Sequence, residues 1–211
     1  MNNFDLHTPT RILFGKGAIE KLREQIPAEA RVLITYGGGS VKKTGVLDQV
    51  LTALNGLDVL EFGGIEPNPS YETLMNAVKL AREEKVTFLL AVGGGSVLDG
   101  TKFIAAAAHY DADIDPWEIL ETYGSKIASA IPMGSVLTLP ATGSESNKGA
   151  VISRKTTGDK RAFMSSHVQP QFAILDPVYT YTLPPRQVAN GVVDAFVHTL
   201  EQYVTYPVDG K

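Results

Sequence analysis

The chain has 211 residues, 44% of them hydrophobic and 20% charged, with a formal charge of −4 and no cysteine. That length allows one globular domain, or one and the start of another. The acidic balance leaves no basic stripe for nucleic acid, the missing cysteines exclude disulfides and thiolate metal ligands, and no apolar run approaches the roughly 20 residues that span a bilayer.

The start, Met1-Asn2-Asn3-Phe4-Asp5, has neither the basic nor the apolar region of a signal peptide, so a cytoplasmic protein is expected. Residues 4–6 and 11–14 could form an edge hairpin that pairs between subunits, which makes a homodimer the expected assembly. Arg31 to Tyr36 (RVLITY) reads as a buried strand ended by Gly37-Gly38-Gly39. Residues 41–54 then carry Val41, Leu47, Val50, Leu51 and Leu54 at helical spacing. Asp58 to Phe62 is a second strand closed by Gly63-Gly64. Ser70 is the expected N-cap of a helix running to about Glu84. Residues 86–92 (VTFLLAV) form the strongest strand pattern, followed at once by Gly93-Gly94-Gly95-Ser96 and a helix over residues 97–109. Such strand–helix alternation predicts a mainly parallel sheet in an α/β domain.

The middle is less regular. Strands are expected within residues 129–139, at residues 150–154 and at residues 172–175, with a hairpin tip at Thr156-Thr157-Gly158-Asp159-Lys160. Leu183-Pro184-Pro185 breaks the chain before one long helix over residues 187–204. The expected division is an α/β nucleotide-binding domain over residues 1–185 and the first helix of a second, all-α domain over residues 186–211. The alternative is a C-terminal helix docked on the sheet.

Four stretches carry chemistry. In Gly93-Gly94-Gly95-Ser96-Val97-Leu98-Asp99, backbone N–H groups at a helix start can hold a pyrophosphate, although the spacing is not the usual dinucleotide fingerprint. Asp99 then caps the helix or faces the ligand. Tyr36-Gly37-Gly38-Gly39-Ser40-Val41-Lys42-Lys43 follows an earlier strand without a carboxylate, which suits a phosphorylated ribose and therefore NADP(H). Thr138 to Asn147 is dense in hydroxyls, though Ser/Thr/Gly clusters alone mark loops. Asp194 and His198, four apart on the last helix, share one face and can grip a divalent ion. Two donors do not close a site, and an Asp–His pair on a helix surface is the bland reading.

Together, Phe14-Gly15-Lys16-Gly17-Ala18, Gly64-Ile65-Glu66-Pro67-Asn68-Pro69, Gly93 to Asp99, Leu139-Pro140-Ala141-Thr142-Gly143-Ser144-Glu145 and Gly191 to His198 resemble the iron-containing alcohol dehydrogenases. That family is related to glycerol dehydrogenase and dehydroquinate synthase, and the resemblance points to its NADPH-dependent, broad-specificity aldehyde reductase branch. It implies a Rossmann-like sheet and hydride transfer between NADP(H) and small aldehydes or primary alcohols, assisted by iron or zinc. It places Gly37, Gly38, Gly39 and Ser40 around the ribose phosphate, Gly94, Gly95 and Ser96 on the pyrophosphate, and Asp99 toward the nicotinamide amide. Thr138, Thr142, Asn147 and Lys160 would contact the phosphates or the nicotinamide side, with Tyr179 and Leu183 lining the cleft. Asp194 and His198 match two metal ligands, and two further histidines come from a following helical domain that this sequence does not reach. Two rivals stand beside this reading: a dehydroquinate-synthase-like lyase, and a nucleotide-binding fragment without turnover.

Overall fold

The computed structural model describes residues 7–205. Residues 4–6 lie outside that span, and with them the expected hairpin to residues 11–14.

Six strands form one parallel sheet: β1 (Arg11–Phe14), β2 (Arg31–Tyr36), β3 (Asp58–Phe62), β4 (Phe88–Gly94), β5 (Met133–Leu139) and β8 (Phe172–Leu175), in the order β1-β8-β5-β4-β2-β3. Both faces are covered, and the central strands alternate accordingly. Val32 and Ile34 of β2 and Leu90 and Val92 of β4 bury on one face, while Leu33, Leu89 and Ala91 bury on the other. A parallel sheet covered on both sides needs the near-continuous apolar runs that made these strands readable. The first face packs on α2 (Val46–Ala53) through Val46, Leu47 and Val50. The second packs on α3 (Tyr71–Glu83) and α4 (Gly95–Ala108) through Leu74, Val78, Leu98 and Phe103. The architecture is the expected Rossmann-like α/β layering.

Ser70 caps α3 as its side chain accepts from the Thr73 N–H. β6 (Gly149–Arg154) and β7 (Asp159–Met164) form the expected hairpin as a separate two-stranded antiparallel sheet. The helix expected over residues 41–54 is two helices, α1 (Ser40–Lys43) and α2, because Gly45 takes φ +74 between them. A glycine in the left-handed region ends a helix at little steric cost, and the Gly45 N–H bonds the Lys42 carbonyl in that role. A short α5 (Glu118–Glu121) was not foreseen. The last helix, α6 (Pro185–Thr205), is present and buries no residue. It carries Val188, Val192, Phe196 and Leu200 exposed. No described helix is long and apolar enough to cross a membrane.

Candidate cofactor and metal site

All six strands run parallel, so their C-terminal ends open on one edge. From β2 the chain passes outward to β3, and from β4 it passes the other way to β5. In open α/β sheets ligands bind where the winding direction reverses, here between the ends of β2 and β4. Tyr36 pairs in register with Val92, so the turn beginning at Gly37 lies beside Gly93 and Gly94, the last residues of β4, which lead straight into α4.

In the first turn Gly39 takes φ +101 and precedes α1. Nothing lies within 4 Å of a Cβ built on Gly38 or Gly39, and Ser40 is exposed, so this turn is an open shelf. Lys42 lies 3.3 Å from Glu61 and 4.9 Å from the Tyr36 ring centroid, and the Tyr36 hydroxyl donates to Glu61 at 3.0 Å. Hydrogen bonding to Tyr36 and Glu61 holds the Lys42 ammonium above its ordinary pKa. The sequence reading found no carboxylate in the turn. Glu61 arrives from the neighbouring strand, already engaged by a cation and a phenol.

In the second turn the β4–β5 register slips: Gly93 pairs with Leu137 and Gly94 with Leu139, which leaves Thr138 as the extra residue. An extra residue of this kind is a β-bulge, which locally disrupts the ladder at a strand end. A Cβ on Gly95 would sit 2.6 Å from Thr142 Oγ1 and 2.7 Å from its Cγ2. Gly95 is therefore required by the approach of Thr142 as well as by any phosphate. Ser96 Oγ accepts from the backbone N–H of Asn68 at 3.3 Å, and Asn68, at φ +57, accepts from Lys160 Nζ at 2.8 Å. The loop holding Asn68 thus links the pyrophosphate turn to the hairpin lysine.

Asp99 is committed within the protein. Its Oδ1 accepts from Ser144 Oγ at 2.7 Å and its Oδ2 from the Val151 N–H at 3.0 Å. Asn147 Oδ1 accepts from Lys102 Nζ at 2.9 Å and from the Gly149 N–H at 3.0 Å. Lys102 is wholly buried, and sequence reasoning passed over it. The only signal was its place one helical turn after Asp99, directly before the apolar run Phe103 to Ala108. Burial lowers its pKa to about 8, against the pull of Asp99 and Glu145.

Tyr179 lies on the other side of the sheet end, buried, with its hydroxyl donating to Gln49 at 3.1 Å. Burial, and after it the charge of Asp176, pushes its phenol up to about 12. It lines a cavity of about 280 Å³ with Lys16, Thr44 and Gln49. Leu183 instead shares a cavity of about 720 Å³ with Leu139, Thr142, Asp194 and His198. The structure therefore brings Thr142, Leu183 and the Asp–His pair together beside the Gly94–Gly95 turn, while Tyr179 and Lys160 stand on opposite flanks.

Asp194 Oδ1 and His198 Nε2 are 3.6 Å apart on α6, both exposed to this cavity. A carboxylate and an imidazole at that separation suit one divalent ion as two neighbouring ligands. Among the described residues no group of three or more His, Cys, Asp or Glu side chains is gathered, so the fit is to half of a metal site.

The sequence profile of the family described as iron-containing alcohol dehydrogenase matches residues 9–177. The chain is 85% identical over 211 residues to the NADPH-dependent aldehyde reductase YqhD of Escherichia coli (strain K12), covering all of this chain and 54% of that protein. It is 47% identical over 206 residues to the probable NADH-dependent butanol dehydrogenase 1 of Bacillus subtilis (strain 168), covering 96% of this chain and 52% of that one. The crystal structure of E. coli K-12 YqhD superposes with a TM-score of 0.94 at 85% identity, over 99% of this chain and 54% of that one. The chain thus spans about half the length of the curated relatives it matches.

Proposed function

Because the chain belongs to the iron-containing alcohol dehydrogenase family, we propose that it forms the NADP(H)-binding half of an enzyme that passes hydride between NADP(H) and small aldehydes or primary alcohols. One observation carries the reading: two glycine-rich stretches emerge from neighbouring registered strands at the reversal point of the sheet, and one of them is an open shelf with no carboxylate of its own, the nearby Glu61 being held by Lys42 and Tyr36.

In this reading Gly37, Gly38, Gly39 and Ser40 receive the ribose 2′-phosphate, with Lys43 at the same turn. Gly94, Gly95 and Ser96 hold the pyrophosphate against the N-terminus of α4. Lys160 reaches toward the phosphates from the hairpin, over Asn68. Thr138, Thr142 and Asn147 line the nicotinamide side, with Asp99 behind them bracing Ser144 and β6. Leu183 forms an apolar wall of the substrate cavity, and Tyr179 closes the adenosine side. Asp194 and His198 present two donors to a divalent ion at the floor of that cavity. When bound, NADPH supplies the hydride and the ion polarises the carbonyl oxygen as a Lewis acid. The residues themselves orient the aldehyde near Thr142 and exclude water with Leu139 and Leu183.

The domain division belongs to the same proposal: residues 1–185 bind the nucleotide, and residues 186–211 open a helical domain that uses the exposed apolar side of α6. A cytoplasmic homodimer is the form we expect to work. The test is NADPH oxidation with a short-chain aldehyde, run on the 211-residue chain and on a chain extended by the second half of a relative. Turnover in the extended chain that disappears in His198→Ala supports the reading. No turnover in an extended chain that folds and binds metal contradicts it.

A further inference from the structure

The ammonium of Lys102 has no exposed surface and makes three hydrogen bonds: to Ser144 Oγ at 2.9 Å, to Asn147 Oδ1 at 2.9 Å and to the Gly149 carbonyl at 2.8 Å. An ammonium has three N–H donors, so all are spent on oxygens of one loop and of the first residue of β6. A buried charge is costly unless it is paired and fully hydrogen-bonded, and apolar side chains of similar volume would fill the space more cheaply. Its neighbours on α4, Phe103 to Ala107, are all apolar and buried. The lysine is therefore placed for the loop, not for the core.

That loop is the one carrying Thr142, whose methyl and hydroxyl abut Gly95 of the phosphate turn, and whose Oγ1 accepts from the Ser144 N–H at 3.2 Å. Ser144 stands in the middle. Its hydroxyl accepts from Lys102 and donates to Asp99, three residues earlier on the same helix face. Asn147 takes the second Lys102 proton and also the Gly149 N–H on one oxygen. The charged groups that face Lys102 are Asp99 from α4 and Glu145 from the loop, and β6 contributes only a carbonyl.

We propose that Lys102 is a positioning residue for the cofactor cleft: its ammonium locks residues 142–149 onto α4 and so fixes Thr142 and Asn147 against the pyrophosphate turn. The inference rests on the reading of the cleft as an NADP(H) site. It gives Lys102 no contact with cofactor, and its effect travels through Ser144 and Asn147. Above its lowered pKa the amine keeps two donors for three oxygens, so the lock loosens without the fold coming apart. The sign supports this separation. The unfolded chain holds this proton more tightly than the folded one, so raising the pH through about 8 costs no stability at Lys102.

The experiment titrates NADPH onto the 211-residue chain by nicotinamide fluorescence between about pH 7 and about pH 10, with thermal melts alongside. The unaltered chain should bind at pH 7 and weaken by about tenfold or more above pH 8 with no fall in melting temperature traceable to Lys102. Lys102→Met should bind about tenfold more weakly at pH 7 and lack that inflection, and Lys102→Arg should recover part of the affinity. If Lys102→Met does not fold, Ser144→Ala replaces it, and should weaken NADPH with a melt close to that of the unaltered chain. A folded Lys102→Met or Ser144→Ala with the affinity and pH profile of the unaltered chain overturns the inference and leaves the cofactor site standing. An unaltered chain that binds no NADPH overturns the site and the inference together.

Discussion

Tyr36, the last residue of β2, stands in register with Val92, two residues before the end of β4, so the glycine-rich stretches that follow them lie side by side on neighbouring strands. One dinucleotide can therefore lie across both, with its phosphorylated ribose on one turn and its pyrophosphate on the other.

The second turn separates two glycines that the sequence treats alike. A Cβ on Gly94 meets Leu139 Cβ at 3.4 Å, an ordinary approach, whereas a Cβ on Gly95 meets Thr142 at 2.6 Å. Gly94→Ala should fold with a melting temperature near that of the unaltered chain and lose about tenfold in NADPH affinity, as backbone approach to the phosphate is blocked. Gly95→Val should lower both affinity and melting temperature, because it displaces Thr142. Calorimetric melts beside NADPH titrations decide this, and a Gly94→Ala chain binding at full strength would make the turn structural only.

The hairpin is held to the Asn68 loop by Glu66, which accepts from Lys155 at 2.7 Å, Thr73 at 2.8 Å and Ser70 at 3.1 Å. Burial opposes its ionisation, but these hydrogen bonds outweigh that and hold its pKa at about 2. Its stabilisation is fully present above the unfolded pKa near 4.5 and is lost as the pH falls toward 2. Glu66→Gln should cost on the order of 1 kcal/mol at neutral pH, discounted for partial exposure, and should flatten the loss of stability in that acid window. Urea titrations at several pH values measure it, and parallel curves for the two chains would remove Glu66 from the account.

Asp194 and His198 give a divalent ion two donors, against the three or four protein ligands that firm sites use. The 211-residue chain should retain far less than one equivalent of zinc or iron after gel filtration, by elemental mass spectrometry, and should reduce aldehydes at a rate near background. His198→Ala should remove the residue of bound metal and leave the melt unchanged, since the pair is exposed on α6. Stoichiometric metal with normal turnover in the short chain would mean that the site is built differently.

The sheet was legible in the sequence because its central strands are covered on both faces, and Arg31–Tyr36 and Phe172–Leu175 match the observed strands residue for residue. The turns were legible because glycines cluster where two strands end. The break at Gly45 was missed because the apolar spacing of Val41, Leu47 and Val50 continues across it, and spacing is blind to a single left-handed residue. Lys102 was missed for a different reason. A lysine in a helix is ordinarily solvated, and only the fold brings Ser144, Asn147 and Gly149 over it. Glu61 came to the ribose turn by sheet pairing, which no local pattern encodes.

Cofactor choice at the Gly37–Ser40 turn tests the central claim most directly, since relatives of this chain carry both NADPH-dependent and NADH-dependent names. Gly38 is exposed, and a Cβ there meets nothing within 4 Å, so Gly38→Asp adds a carboxylate at an open position. Fluorescence titration of NADPH and NADH onto the unaltered chain and Gly38→Asp should show NADPH binding more tightly to the first and the preference reversed in the second. Repulsion of the 2′-phosphate supplies on the order of 1–3 kcal/mol of that change. Equal affinities for the two cofactors in the unaltered chain, or a preference for NADPH that survives the added carboxylate, would contradict the placement of the ribose phosphate on this turn.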